Sequence, residues 1–110
     1  MAHIYVAGPY SQGNLDVNIK EAIEAADIIL NHGHVPYVPH LTHLWELVSH
    51  HSYEEWMALD EKWLAKCDVM YRIDGMSSGA DREEEFARKN NIPVFRSYYE
   101  MFRYLEKING

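Results

Sequence analysis

Residues 3–9 read His3-Ile4-Tyr5-Val6-Ala7-Gly8-Pro9, a mostly apolar run rich in residues that favour β-structure. Gly8-Pro9 ends the run, so the pattern predicts a short buried strand over residues 3–8. Asn14 then stands as an N-cap before apolar residues at helical spacing, and Gly33 occupies the position expected just after a helix. A strand, a turn and a helix in this order predict the first unit of a parallel α/β sheet.

The same alternation continues along the chain. Three further apolar runs predict strands, over residues 35–38, 68–73 and 92–95. Three further helical patterns are predicted, over residues 52–66, about 80–90 and from 97 onward. Pro36 marks the second strand as an edge or irregular strand, and Ser52-Tyr53-Glu54-Glu55 is a capping box. The order predicts one α/β domain over residues 1–110, a flavodoxin- or Rossmann-like sandwich with a mainly parallel sheet of four or five strands.

The composition and net charge exclude several classes of protein and of binding partner. The 110 residues are 47% apolar and 25% charged, which is typical of a globular protein. Net charge is −7, and phosphate-backbone binding needs clustered positive charge, so no nucleic acid polymer is expected as a partner. One cysteine excludes an intramolecular disulfide and a cysteine-based zinc site. The sequence shows no signal-peptide pattern and no membrane span, so we expect a cytoplasmic protein without a membrane partner.

Two loops follow the first and third predicted strands, at the sheet edge where ligands bind in such folds. The first covers residues 8–14 and leads into a helix, a geometry that can hold an anion through backbone N–H groups. It lacks both the P-loop and the three-glycine dinucleotide pattern, so no cofactor is expected. A simple tight turn explains this loop equally well.

The second loop, residues 74–79, places small residues directly before a helix. Ser77 and Ser78 offer hydroxyls, and Gly79 lets a ligand approach the backbone closely. Glu83 is predicted in the first helical turn, where the dipole favours an ionised carboxylate by roughly 0.3–1 kcal/mol. Such a carboxylate can act as a nucleophile. Acidic residues also occupy helix starts merely to interact with the dipole, so both interpretations stay open.

Other candidate residues lie outside these loops. Asp60 falls beside a tryptophan stripe and is either a boundary residue or a site residue. His40 follows the second predicted strand and is a candidate ligand contact, while the chain lacks the His-Glu-x-x-His zinc signature, so no metal is expected. Tyr10 and Trp45 are candidates for stacking on a planar base.

Spacing gives the two remaining tryptophans a different interpretation. Trp56 and Trp63 are seven residues apart, which predicts that they lie in the core or at a subunit interface.

Taken in order, three segments resemble the nucleoside 2-deoxyribosyltransferase superfamily, which includes the 2′-deoxynucleoside 5′-monophosphate N-hydrolases. The segments are residues 4–11 (IYVAGPYS), 60–68 (DEKWLAKCD) and 77–87 (SSGADREEEFA). The resemblance covers residues 4 to about 94. It implies the α/β fold already predicted and a homodimer or higher homo-oligomer, to which the three tryptophans would supply apolar contact.

The resemblance also implies roles for individual residues. Glu83 matches the nucleophile that attacks C1′ of deoxyribose, Asp60 the acid that assists the departing base, and Tyr5 a tyrosine near both. Ser77 matches a serine that holds a 5′-phosphate. Gly8 and Gly79 match positions where the backbone approaches the substrate, and Tyr10 and Ser11 belong to the segment that resembles the substrate loop. His40 completes the predicted substrate-binding residues because of its position after the second strand.

The function expected from this resemblance is hydrolysis of the base–sugar bond of a 2′-deoxynucleoside 5′-monophosphate. Its substrate would be a small nucleoside or nucleotide. A deoxyribosyltransferase that exchanges bases is one alternative. A nucleotide-binding or sensing module without turnover is another, since the acidic residues 81–85 would repel a phosphate.

Overall fold

The computed structural model describes residues 1–109, in which strands and helices alternate; Gly110, the end of the predicted domain, lies outside the described residues. The strands are β1 (His3–Ala7), β2 (Val35–Tyr37), β3 (Val69–Arg72) and β4 (Val94–Phe95). The α-helices are α1 (Leu15–Asn31), α2 (Thr42–Val48), α3 (Tyr53–Leu64), α4 (Ser78–Lys89) and α5 (Tyr98–Asn109). A short 3-10 turn, Pro39–Leu41, precedes α2.

The four strands form one parallel sheet in the order β2-β1-β3-β4. The predicted α/β class and parallel sheet are therefore confirmed, with four strands. β2 lies at an edge, as Pro36 predicted. Because the chain runs from β1 outward to β2 and then returns past β1 to β3, the connections diverge between β1 and β3. Open α/β sheets have their ligand crevice at such a point.

Strand β1 explains how the two faces of the sheet are covered. Ile4 and Val6 pack into a cluster with residues of α1 and α5. Tyr5 and Ala7 point to the opposite face and pack with residues of α4 and the end of α3. All four side chains have no exposed surface. A continuous apolar run is the pattern expected of a parallel strand that is covered on both faces.

Local capping signals in the sequence are confirmed. The Asn14 side chain accepts a hydrogen bond from Val17 N at 3.1 Å, and Gly33 follows α1 with φ +84°. The Ser52 hydroxyl accepts from Glu55 N, and the Glu55 carboxylate accepts from Ser52 N. These groups satisfy backbone donors that a helix start leaves without partners.

Helix α4 begins earlier than predicted. It starts at Ser78, because the Ser77 hydroxyl accepts a hydrogen bond from Ala80 N at 3.1 Å and so caps the helix. Ser78 and Gly79 are therefore helical, and Glu83 lies in the second turn rather than the first. The helix dipole acts mainly within the first turn, so it does not explain the state of the Glu83 carboxyl.

Strand β4 is shorter than predicted. Its ladder covers only Val94 and Phe95. Pro93 has no N–H to donate, and the N–H of Ile92 donates to Ala87 O at the end of α4. Ile92 is therefore used to end the preceding helix, while Pro93 O accepts a hydrogen bond from Met70 N of β3 at 2.9 Å.

Helix α2 follows the 3-10 turn and lies between β2 and α3 in the chain. None of its side chains is buried, and Leu44, Leu47 and Val48 are largely exposed. Within residues 1–109, no helix is both long and apolar enough to cross a membrane.

Candidate active site

A cleft opens where the connections of the sheet diverge, at the carboxyl ends of β1 and β3. Its volume is about 150 Å³. Eight of the nine sequence-predicted site residues line it, namely Gly8, Tyr10, Ser11, His40, Asp60, Ser77, Gly79 and Glu83. The ninth, Tyr5, lies in contact with Glu83. Residues from four separate parts of the chain are thus brought together at one point.

Glu83 is held in the cleft wall by helix α4. Its side chain is only 5% exposed, and the Tyr5 hydroxyl donates a hydrogen bond to its Oε2 atom. Burial raises the pKa of the Glu83 carboxyl, and the nearby charge of Asp60 raises it further. The Tyr5 hydrogen bond acts in the opposite direction, because it stabilises the ionised form.

Asp60 reaches the same cleft from helix α3. It is 9% exposed, and its Oδ1 atom has no hydrogen-bond partner among residues 1–109. Burial raises the pKa of the Asp60 carboxyl above its usual range. Two neighbouring buried carboxyls do not both ionise easily, so together they retain a proton to higher pH than isolated carboxyls do. Tyr5 donates to Glu83, which favours the ionised form of Glu83, whereas the contact between the two carboxyls raises the pKa of Glu83 and lowers that of Asp60, so the pair shares one proton.

Three aromatic rings, those of Tyr5, Tyr37 and Trp63, pack against one another next to the Glu83 carboxyl. The ring of Tyr37 stacks on Trp63 with centroids 5.0 Å apart and lies 5.6 Å from the ring of Tyr5. Burial, together with the two carboxyls, raises the pKa of both tyrosine hydroxyls. Tyr5 therefore stays protonated and remains a hydrogen-bond donor to Glu83.

Polar contacts hold the other wall of the cleft. His40 Nε2 donates to Pro9 O at 2.8 Å, and Tyr10 Oη pairs with His43 Nδ1 at 2.7 Å. His40 is buried, which lowers its pKa and keeps the ring neutral. Its Nδ1 atom has no partner in the described part of the chain. His40 therefore presents a buried hydrogen-bond acceptor beside the two carboxyls.

The two loops at the cleft mouth contact each other directly. Gln12 Oε1 accepts a hydrogen bond from Ser78 N at 2.9 Å. The Asn18 side chain donates to Tyr10 O and Gln12 O, which fixes the backbone of the first loop. Gly75, with φ +131°, packs so closely on Pro9 that an added Cβ would lie 2.7 Å from Pro9 Cγ.

Sequence reasoning missed several residues of the cleft. Those residues are Gln12, Pro39, Thr42, Tyr53, Trp56, Met57 and Ala80. Trp56 lies one helical turn before Asp60 and Met57 lies three residues before it, a spacing that places them on one face of α3. That spacing was the available signal.

Two of the tryptophans lie outside the core. Trp56, which the spacing predicts in the core or at a subunit interface, lines the cleft rather than the core, and its indole N–H donates to Glu46. Trp45 was expected to stack on a base, but it is not a lining residue of the cleft. It packs edge-on against Trp56, with centroids 5.1 Å apart.

The cleft contains no lysine or arginine among its lining residues. Arg82, which adjoins Glu83 in sequence, pairs with Glu54 at 3.0 Å and Glu61 at 3.4 Å. Arg72 is buried and pairs with Asp81 at 3.0 Å. Within residues 1–109 no group of three or more histidine, cysteine or acidic side chains is arranged to hold a metal ion. The charge of the cleft is set by Asp60 and Glu83.

The fold and the cleft define a class, a doubly wound α/β protein with two buried carboxyls at the point where its connections diverge. Residues 2–97 match the family model described as "Domain of unknown function (DUF7768)", and the chain belongs to that family. No curated protein matches the chain.

One solved structure gives an independent comparison of the fold. The chain is similar to the 2-deoxyribosyltransferase of the psychrotolerant bacterium Bacillus psychrosaccharolyticus, with a TM-score of 0.69 and 23% identity. The similarity covers 84% of this chain and 69% of that enzyme. At this identity the likeness concerns the fold.

Proposed function

We propose that this protein cleaves the N-glycosidic bond of a 2′-deoxynucleoside, with Glu83 as the nucleophile. The observation that carries the proposal is the pair of buried carboxyls in one cleft, of which only Glu83 receives the Tyr5 hydrogen bond. Cleavage of such a bond needs one carboxylate to stabilise or trap the sugar cation and one acid to protonate the leaving base.

The two carboxyls divide these tasks. The Glu83 carboxylate attacks C1′, the bond from C1′ to the base nitrogen breaks, and the base leaves with the proton of Asp60. The sugar is then held as an ester of Glu83. Water attacks C1′ of that ester, Asp60 takes up a proton, and free deoxyribose is released. Covalent catalysis of this kind divides one difficult step into two easier ones.

The shape of the cleft suggests how a nucleoside would lie. Its volume of about 150 Å³ is below the roughly 300–1,000 Å³ of sites that enclose a whole drug-sized ligand. We place the sugar in the cleft beside Glu83 and the base at the mouth. The rings of Tyr10, Tyr53 and Trp56 line the cleft and offer faces for the base.

The charge of the cleft bears on the substrate. A 5′-monophosphate was the substrate implied by the sequence resemblance. The lining residues carry two carboxyls and no cation, and Ser77 uses its hydroxyl oxygen to cap α4. A doubly charged phosphate would meet no compensating side chain, which supports an uncharged nucleoside as the preferred substrate.

Base exchange is the second candidate. It is favoured by the similarity of the fold to an enzyme described as a 2-deoxyribosyltransferase. In this version a nitrogen of a second base, rather than water, attacks C1′ of the Glu83 ester; the bond from C1′ to the Glu83 oxygen breaks, and Asp60 takes up the proton of the attacking nitrogen. Addition of a second base separates the two reactions, since exchange yields a new nucleoside and hydrolysis yields free sugar.

The test is base release, followed by chromatography, from the common 2′-deoxynucleosides and their 5′-monophosphates. We expect Glu83→Gln to lower the rate by at least ~10³-fold, since the nucleophile is removed. The matched control is Glu85→Gln on the same helix. Glu85 is exposed and contacts Lys89 at 3.0 Å, so this variant should keep full activity.

Two results would contradict the proposal. One is equal base release by wild type and Glu83→Gln. The other is nucleoside binding by the folded wild type without any base release, which would favour a binding module.

A further inference from the structure

Gln12 and Ser78 form a contact that none of the proposed chemistry uses. Gln12 belongs to the loop between β1 and α1, and Ser78 is the first residue of α4. Gln12 Oε1 accepts a hydrogen bond from the backbone N–H of Ser78 at 2.9 Å. Both residues line the cleft.

Oε1 of Gln12 pairs with one of the first backbone N–H groups of α4. The first N–H groups of a helix have no partner within the helix and attract negative charge. In α4 the N–H of Ala80 is capped by Ser77, and the N–H of Ser78 is taken by Gln12. An uncharged amide therefore holds a donor at the edge of the cleft.

The cleft beside this contact has features of a ligand site in its own right. Asp60 and His40 are each more than nine-tenths buried and line the cleft, and each has an atom without a partner among residues 1–109. Buried polar atoms usually have partners, and those of a binding site find them in the ligand. Gln12 thus stands between a ligand cleft and a helix N-terminus that would favour an anionic substituent.

The backbone around Gln12 is held so that its side chain stays in place. Asn18 Nδ2 donates to Tyr10 O at 2.9 Å and to Gln12 O at 2.8 Å. Gly13 turns the chain after Gln12 with φ +86°. The side chain of Gln12 is exposed, so its position depends on this support and on the bond to Ser78.

We propose that Gln12 is a specificity-determining residue that excludes substrates with a 5′-phosphate, by occupying the N-terminus of α4 at the edge of the cleft. The inference rests on the proposed function for the identity of the substrate. It assigns the exclusion to one side chain. A phosphate would have to displace the Gln12 amide and would then gain no cation from the cleft lining in exchange.

Three substitutions of Gln12 distinguish the effect of its hydrogen bond to Ser78 from the effect of having any polar side chain at this position. Gln12→Ala removes the acceptor, and Gln12→Asn keeps the amide but shortens the side chain by one methylene. Gln12→Glu keeps the reach and adds a negative charge. Because the Gln12 side chain is exposed, we expect all three variants to fold. Their melting temperatures, compared with that of the wild type, test this.

The first readout is the ratio of kcat/KM for a 2′-deoxynucleoside to that for its 5′-monophosphate. Wild type should prefer the nucleoside. We expect Gln12→Ala and Gln12→Asn to shift this ratio toward the monophosphate by about tenfold, the usual effect of one hydrogen bond to a charged group. Gln12→Glu should shift the ratio the other way. An unchanged ratio in Gln12→Ala would overturn the inference.

The second readout does not depend on turnover. Titration calorimetry compares two proteins that cannot turn the substrate over, namely the single variant Glu83→Gln and the double variant Gln12→Ala/Glu83→Gln. The probes are 2′-deoxynucleoside 5′-monophosphates and inorganic phosphate. Gln12→Ala should bind the phosphate-bearing probes more tightly. If wild type releases no base yet this gain is seen, the proposed function fails and the role of Gln12 stands. If base is released but neither the ratio nor the binding changes, only the role of Gln12 fails.

Discussion

Tyr5, at the centre of the buried strand β1, donates its hydroxyl hydrogen to Oε2 of Glu83, which lies 78 residues later in helix α4. The contact joins the middle of the sheet to the cleft. Because Tyr5 is fully buried between the sheet and its covering helices, its hydroxyl is held in one place. The Glu83 carboxyl is therefore positioned by the core of the protein rather than by a loop.

Removal of this hydroxyl should impair the ionised form of Glu83. In Tyr5→Phe the carboxyl stays buried but loses a donor, so its pKa rises further. We expect kcat/KM at pH 7 to fall about 10- to 100-fold, the range for a hydrogen bond to a charged group. The acidic limb of the pH profile should move to higher pH. A fall in activity without that movement would show that Tyr5 acts through packing alone.

Asp60 should determine the alkaline limb of the same profile. The mechanism needs Glu83 ionised and Asp60 protonated, so kcat/KM should be bell-shaped, and burial should place both limbs above the usual carboxyl range. Asp60→Asn cannot give a proton to the leaving base, and we expect a loss of about 10²-fold or more. Its profile should lack the alkaline limb. A flat wild-type profile from about pH 4 to 9 would contradict the shared-proton arrangement.

Burial of Glu83 should cost stability at alkaline pH. The pKa of this carboxyl is raised in the folded protein, so between about 4.3, the usual unfolded value, and the folded pKa the native state binds more protons. The free energy of unfolding therefore falls as pH rises through this window. The Asp60 carboxyl, whose pKa is also raised by burial, contributes to the same slope, so Glu83→Gln should lessen it, with a gain relative to wild type on the order of 1–2 kcal/mol between pH 5 and 8.

Denaturant unfolding of Glu83→Gln at several pH values measures this effect. The exposed substitution Glu85→Gln is again the control and should leave the slope of wild type unchanged. A steeper loss of stability in Glu83→Gln than in wild type would contradict the raised pKa.

Substitution of Gly79 by alanine should affect substrate binding and stability in opposite directions. An added Cβ would lie 3.7 Å from Tyr53 Oη and 3.9 Å from Met57 Sδ, ordinary contact distances to two residues of the cleft wall. Gly79→Ala should therefore fold normally and gain up to about 1 kcal/mol from helix propensity. The methyl group occupies cleft space, so KM for the nucleoside should rise. Thermal unfolding and steady-state kinetics test both effects; a stable variant with unchanged KM would place the substrate elsewhere.

Helix α2 is where we expect the predicted homodimer to form. Leu47 and Val48, at the end of the helix, are 69% and 90% exposed, and Thr42, its first residue, lines the cleft. A second copy that covers these side chains would remove exposed apolar surface from water. We expect a dimer by light scattering, and Leu47→Glu should yield a folded monomer. A monomeric wild type at high concentration would contradict the homodimer.

The sequence determined the α/β class and the local signals of the elements by itself. Two of these signals are the N-cap Asn14 and the capping box at Ser52, which act between residues close in sequence, and both are observed. The continuous apolar run of β1 and the proline in β2 predict a buried strand and an edge strand, which are also observed. The start of α4 was not predicted correctly from the sequence. Ser78 and Gly79 are residues typical of loops, but the Ser77 cap makes them part of the helix.

Only the tertiary structure decided how the cleft is built. The bonds of Tyr5 to Glu83 and of Gln12 to Ser78 join residues 78 and 66 positions apart, and no local pattern encodes such pairs. Trp56 shows the same limit, since its spacing fits a core helix and a cleft wall equally well. Spacing along a helix defines a face, but what that face meets is set by the packing of the whole chain. The raised pKa values of Asp60 and Glu83 have the same origin, because burial is a property of the assembled fold.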